Sequence, residues 1–195
     1  MRWSRFKDFS AEEMLKVVRD KAFPFMKNIH GDEETSYSRH MKDAIFMIPN
    51  AGLLQRVVDM ISDIPMEDRD TKGDLYEYML GKIATAGTNG QFRTPRHIIK
   101  MMVELMAPTP KDKVCDPACG TAGFLTVAAQ YVSDNFNEQL MKKEIRERYE
   151  TEMFTGYDFD ATMLRIGSMN MLLHGAEKAK IESADSLSKY FNDTD

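Results

Sequence analysis

The stretch Val114-Cys115-Asp116-Pro117-Ala118-Cys119-Gly120-Thr121-Ala122-Gly123-Phe124-Leu125 constrains the fold of this chain more than any other. A short apolar run ends in an acid, passes through small residues and opens into an apolar helical pattern, which is how a strand, a loop and a helix are written. Such a unit carries a ligand beyond the carboxyl end of its strand. Gly120 and Gly123 let the main chain lie against that ligand, and the N–H groups at the start of the next helix favour a negative group. The dinucleotide spacing G-x-G-x-x-G is absent, and no Gly-Lys-Ser/Thr follows for a triphosphate. Asp116 ahead of the glycines points instead to a ligand with a cationic group beside its carboxylate. Taken alone, the stretch also fits a tight strand-to-helix turn that binds nothing.

Asp116 to Leu125 resembles the S-adenosylmethionine (SAM) loop of the N6-adenine DNA methyltransferases, specifically the modification (M) subunit of type I restriction-modification systems. Gly90-Gln91-Phe92-Arg93-Thr94-Pro95-Arg96 and Asp70-Thr71-Lys72-Gly73-Asp74-Leu75-Tyr76-Glu77-Tyr78 resemble segments of the same family in the same order. The resemblance implies an α/β Rossmann-like SAM-dependent methyltransferase domain with a partial sheet, preceded by an all-α amino-terminal domain. It divides the chain into a helical part, 1–86, and the first half of the SAM-binding domain, 87–195. The implied reaction is methyl transfer from SAM to the N6 of adenine in DNA. The implied partners are a specificity subunit that chooses the DNA sequence, a second M subunit and a restriction subunit.

Residue by residue, the resemblance assigns Gln91, Phe92, Arg93, Thr94, Pro95 and Arg96 to a segment closing over the methionine end of SAM, and Asp116, Gly120, Thr121, Ala122 and Gly123 to the loop beneath it. Asp158 ends a second short apolar run, Met153 to Asp158, where nucleotide-binding α/β folds place an acid that accepts hydrogen bonds from the ribose hydroxyls. The family usually has glutamate there, so the shorter aspartate is a departure, and Asp160 is the second candidate. By position alone Asp160 caps the helix that follows. Asp185 closes an expected third strand, Lys180 to Leu187; the resemblance turns it toward the adenine amino group, whereas its spacing also suits a turn residue.

Composition excludes several alternatives. A chain of 195 residues with 43% hydrophobic and 29% charged residues can bury a core. No apolar run is long enough to span a bilayer, and the opening Met1-Arg2-Trp3-Ser4-Arg5-Phe6 lacks the apolar centre of a signal peptide, which predicts a cytoplasmic location and no membrane partner. The two cysteines, Cys115 and Cys119, have no companion cluster to complete a metal site, so they are expected as a strand residue and a small loop residue. A net charge of −5 argues against a chain that grips DNA unaided, because phosphate neutralisation supplies most non-specific affinity. That balance suits DNA recognition mainly through the specificity subunit.

Along the chain, Ser10-Ala11-Glu12-Glu13 forms a capping box that starts a helix expected to end at Phe23-Pro24. Leu53, Leu54, Val57, Val58 and Ile61 predict another helix, and Gly73-Asp74 the start of the next. Ala84 to Gly90 is small and glycine-rich, as a hinge would be. Thr94 is expected to cap a helix with Pro95 first and with Ile98, Ile99, Met102, Val103 and Met106 buried. A charged helix is expected from Glu138 to Glu150, and another from Ala161 to a turn at His174-Gly175, His174 serving the helix end.

The family's catalytic motif, Asn-Pro-Pro followed by Phe or Tyr, does not occur in the 195 residues. In the family that motif holds the flipped adenine. The chain is therefore expected to be a fragment, inactive alone, with an apolar sheet edge that a complete domain would pair. Two other readings fit the residues: a SAM-dependent methyltransferase of RNA or protein, and a non-catalytic module that binds the other subunits.

Overall fold

The computed structural model describes residues 3–62, 78–81 and 94–189. The expected hinge at 84–90, most of the helix expected from Gly73, and the candidate residues Gln91, Phe92 and Arg93 lie outside the described residues.

The amino-terminal part is helical: α1 (Trp3–Phe6), α2 (Ala11–Val17), α3 (Phe23–Lys27), α4 (Ser36–Met41) and α5 (Ala51–Ser62). Ser10 caps α2 through the expected capping box, with its hydroxyl on the Glu13 amide and the Glu13 carboxylate on its own. Phe6, Met14, Leu54 and Val58 close a small core between α2 and α5. The expected stop at Pro24 does not occur, because a π turn over Val18–Ala22 carries the helix past it. There the Phe23 amide reaches back to the Val18 carbonyl, and the widened turn leaves Pro24 in the first turn of α3, where no N–H is needed.

The second part is a sheet with helical crossovers. Among the described residues β1 (Val114–Asp116), β2 (Phe154–Asp158) and β3 (Lys180–Ser183) run parallel in the order β1-β2-β3. Asp116 stands opposite Gly156, and Asp158 opposite Ser183. α6 (Arg96–Met106) precedes β1; α7 (Gly123–Asn135), α8 (Asn137–Leu140) and α9 (Lys143–Thr151) join β1 to β2; α10 (Ala161–Leu173) joins β2 to β3. Leu125, Ala129 and Val132 of α7 and Leu164 and Met171 of α10 pack with Phe154 and Ile181 in one buried core. Ala128 and Ala129 of α7 are buried in the same core, and Tyr149 packs edge-on against Phe154 while its hydroxyl donates to the Ala129 carbonyl at 3.1 Å.

Three expected boundaries move. The charged helix over Glu138–Glu150 is broken into α8 and α9 at Lys142, which is extended. Leu140 and Tyr149 are both buried, yet on one continuous helix they would face opposite sides, so the break lets both reach the core. Pro95, not Thr94, is the residue before the first turn of α6, and its carbonyl accepts from the Ile98 and Ile99 amides. β3 ends at Ser183 rather than Asp185: the Ala184 amide makes the last bond to β2, at the Asp158 carbonyl, and Asp185 opens a turn in which its carbonyl accepts the Ser188 amide.

α4 is sealed to the outer edge of β3. Tyr37 and Met41 pack with Phe23, Met169 and Leu172, and the Arg165 guanidinium donates to the His40 carbonyl at 3.0 Å. The Ile181 amide, turned away from β2, donates to Ser36 Oγ at 3.0 Å, and His40 Nε2 donates to the Ile181 carbonyl at 2.7 Å. Two side chains thus satisfy the backbone of an edge strand that would otherwise invite another strand.

Candidate functional site

The loop that follows β1 is held from both sides. At its start the Ala118 amide donates to Asp116 Oδ1 at 3.1 Å, which turns the chain sharply out of the strand. The Cys119 amide then donates to the Tyr157 carbonyl at 2.9 Å, and the Gly120 amide to Asp158 Oδ2 at 3.0 Å. Gly120 has φ +52° and Ala122 φ +61°, so the chain passes twice through the left-handed region before α7 begins. The alanine is held there by its own amide, which donates to the Cys119 carbonyl at 2.7 Å. No side chain caps α7. The N–H groups of its first turn, at Gly123, Phe124 and Leu125, have no intrahelical acceptor and are presented to whatever lies over the loop.

Underneath, the fit is close. A Cβ on Gly156 would lie 2.9 Å from both Cys119 Sγ and Leu125 Cδ1, so β2 has no side chain where the loop crosses it. On α10 a Cβ at Gly167 would lie 3.1 Å from the Gly120 carbonyl oxygen, and Asn170, fully buried, donates from Nδ2 to the Thr121 carbonyl at 2.8 Å. Ser186 Oγ, beyond β3, donates to the Pro117 carbonyl at 2.6 Å.

The structure therefore brings together Asp116, Gly120, Thr121, Ala122, Gly123 and Asp158, at the carboxyl ends of β1 and β2. Asp158 uses Oδ1 to accept the Asp160 amide at 2.9 Å and Oδ2 to accept that of Gly120. Each oxygen keeps a second lone pair for a ligand hydroxyl. Burial raises the proton affinity of Asp116, the Ala118 amide partly offsets that, and the Asp158 charge adds to it. Burial, with Asp116 and Asp158 acting the same way, pushes the Cys119 thiol up to about 12. The Cys119 sulfur is a packing atom under the loop.

The other candidates lie further out. Asp160 caps α10, accepting from the Thr162 and Met163 amides at 2.7 and 3.0 Å. Asp185 is exposed and its Oδ1 accepts the Leu187 amide at 3.1 Å, which makes it the first residue of a turn tied to the loop through Ser186. His174 ends α10, with Nδ1 on the Asn170 carbonyl at 2.8 Å, before Gly175 turns the chain at φ +81°. Thr94, Pro95 and Arg96 stand at the start of α6, where Arg96 borders a groove with Gln130, Tyr131 and Asp134 of α7.

The expected buried face of α6 is only partly buried. Ile99 and Val103 are enclosed, but Met102 and Met106 are 45% and 81% exposed. With Val114, Asp116 and Phe124 they line an apolar groove of about 600 Å³ beside the outer edge of β1. Gly156, Gly167 and Asn170 were not singled out by the sequence reading. Their signal was a glycine within a short strand, and a glycine and an amide three residues apart on one helix.

The sequence model described as N-6 DNA Methylase matches residues 67–195. The methylase subunit of the type I restriction enzyme EcoEI from Escherichia coli is 30% identical over 178 residues, 86% of this chain and 35% of that protein. The EcoKI methylase subunit from Escherichia coli K12 is 38% identical over 114 residues, 57% of this chain and 22% of that protein. A crystal structure of a modification subunit assigned to a type I restriction enzyme from Vibrio vulnificus YJ016 superposes with a TM-score of 0.61 at 33% identity, covering 85% of this chain and 35% of that one. The chain spans about a third of the first of these curated relatives and less of the second.

Proposed function

This chain belongs to the N-6 DNA methylase family, and from that membership we propose that it is the SAM-binding part of a type I restriction-modification M subunit, acting on the N6 of adenine in DNA. The observation that carries the reading is the bond from the Gly120 amide to Asp158 Oδ2, which draws the loop and the acid of β2 to one side of two adjacent strand ends. In a Rossmann-like fold that crevice receives the nucleoside.

The residues present fit SAM. The uncapped first turn of α7 offers N–H groups to the methionine carboxylate, and the half-buried Asp116, its proton affinity already raised, gains from a cationic amino group nearby. Asp158 keeps acceptor capacity for the ribose hydroxyls. Thr94, Pro95 and Arg96, with Gln91, Phe92 and Arg93 before them, are assigned to closing over the methionine end, and Asp185 to the adenine end. When bound, SAM supplies the electrophilic methyl group. The chain's own part is to bind and orient it, because the motif assigned to adenine does not occur in its sequence.

The division at residue 86, the specificity, restriction and second M subunits as partners, DNA contact mainly through the specificity subunit, and a cytoplasmic location belong to the same proposal. Among the described residues no helix is long and apolar enough to cross a membrane. The deciding experiment is calorimetric titration of the chain with SAM beside Asp158→Ala. Saturable binding that weakens in the variant supports the reading; a folded sample that binds no SAM overturns it.

A further inference from the structure

We infer that Asn170 is a positioning residue: with Gly167 on the same face of α10, it holds the Gly120–Gly123 loop in the shape that leaves the Thr121 N–H and the first turn of α7 open to the anionic end of the ligand. The inference rests on the SAM reading above.

The argument begins with the geometry of a peptide unit. In a trans peptide the carbonyl and the N–H point in opposite directions, and the described chain has no cis bond. Fixing where a loop carbonyl points therefore fixes where the next amide points. The Gly120 carbonyl faces α10, where only a glycine leaves it room; a Cβ on Gly167 would stand 3.1 Å from the oxygen. The Thr121 N–H is thereby directed away from α10, toward the open side of the loop. One helical turn further, Asn170 Nδ2 donates to the Thr121 carbonyl at 2.8 Å; this directs the Ala122 amide away from α10, where it donates to the Cys119 carbonyl at 2.7 Å and closes the turn that leads into α7.

Both contacts come from one face of a helix that is fixed at each end. Asp160 caps its start through the Thr162 and Met163 amides, and His174 with Gly175 ends it. A fully buried side-chain amide is costly unless it is hydrogen-bonded, and this one commits a donor to the loop. The left-handed Ala122 that follows Thr121 is an unfavourable conformation for a side-chain-bearing residue, so the loop needs such outside restraint to stay in it.

The test compares the 195-residue chain with Asn170→Ala and, should that variant fail to fold, with Gly167→Ala, which presses on the neighbouring carbonyl. Amide hydrogen exchange reads the loop without ligand. The expected result is about tenfold faster exchange at Cys119, Gly120 and Ala122, whose amides are bonded within the loop or to β2, with Val127 to Val132 of α7 unchanged. Calorimetry then compares SAM with 5′-methylthioadenosine, which lacks the amino-acid end. The variant should bind SAM about tenfold more weakly and 5′-methylthioadenosine within about twofold of wild type, the size expected for losing one oriented hydrogen-bonding group. Equal losses for both ligands would mean general damage to the pocket, and unchanged loop exchange would mean that Asn170 does not restrain the loop; either result overturns the inference. If folded wild type binds no SAM, the functional reading falls and the ligand-directed role with it. Faster loop exchange in that case would leave Asn170 a support of the loop alone.

Discussion

The Gly120 amide and Asp158 Oδ2 lie 3.0 Å apart although 38 positions separate them in the chain, and this bond fastens the loop after β1 to the end of β2. It also gives the acid two tasks, since the same carboxylate is the one assigned to the ribose. Asp158→Ala removes a charged acceptor and should cost about 1.5–3 kcal/mol of stability, measured by urea unfolding. Asp158→Asn keeps an acceptor oxygen for Gly120 and should cost less, while both variants lose SAM affinity. If the two variants unfold alike, the loop does not depend on this bond.

A second prediction concerns Gly156, whose position under the loop is set by contact rather than by backbone conformation. Adding a methyl group there would put it 2.9 Å from both Cys119 Sγ and Leu125 Cδ1, inside a buried core. Gly156→Ala should destabilise the chain by about 1–3 kcal/mol, the usual cost of overpacking. Removing the sulfur with Cys119→Ala relieves one of the two 2.9 Å contacts and leaves Cys119 Cβ at 3.0 Å, so the same substitution should cost somewhat less in that background. A double-mutant cycle with no coupling would show that the strand and the loop do not meet as described.

Asp116 makes a pH prediction whose sign is opposite to that of a salt-bridged acid. Burial raises its folded-state pKa above the ordinary aspartate value, and Asp158 adds to the shift. Its favourable contribution is therefore complete below the ordinary value and is lost as pH rises through the raised one. At neutral pH the chain bears a partly buried charge that Asp116→Asn removes, while the amide oxygen still accepts from Ala118. The variant should be more stable than wild type at pH 7 and no more stable once pH falls below the ordinary aspartate range. It should also bind SAM more weakly, because the counter-charge for the amino group is gone. A stability difference that does not vary with pH would rule out this account.

What could be seen in the sequence was local. The capping box at Ser10, the strand-loop-helix pattern from Val114 to Leu125 and the acid ending β2 are short local patterns, and the cap, the turn and the strand end all lie where expected. The break at Lys142 could not be seen, because it depends on two residues, Leu140 and Tyr149, competing for one core. The helix through Pro24 was hidden by a π turn, which leaves no mark in an apolar pattern. Asn170 was hidden among apolar neighbours on α10, since its partner is a backbone carbonyl 49 positions away. Long-range backbone contacts of this kind are not written in composition or spacing.

The last prediction follows from Ser36, which stands between the helical part and the sheet. Its hydroxyl accepts the amide of Ile181, a residue only 1% exposed, and donates to Glu182 at 3.2 Å. Ser36→Ala leaves that buried N–H without its acceptor, and an unsatisfied buried donor costs about 1–3 kcal/mol. The urea midpoint should fall accordingly, and the Ile181 amide should exchange faster. His40→Ala removes the donor to the Ile181 carbonyl on the same edge, so the two substitutions should couple rather than add. Because α4 belongs to the proposed amino-terminal part, the result also measures how far the two parts fold together. If Ile181 protection is unchanged in Ser36→Ala, α4 does not close the edge of β3, and the helical part is thermodynamically separate from the sheet.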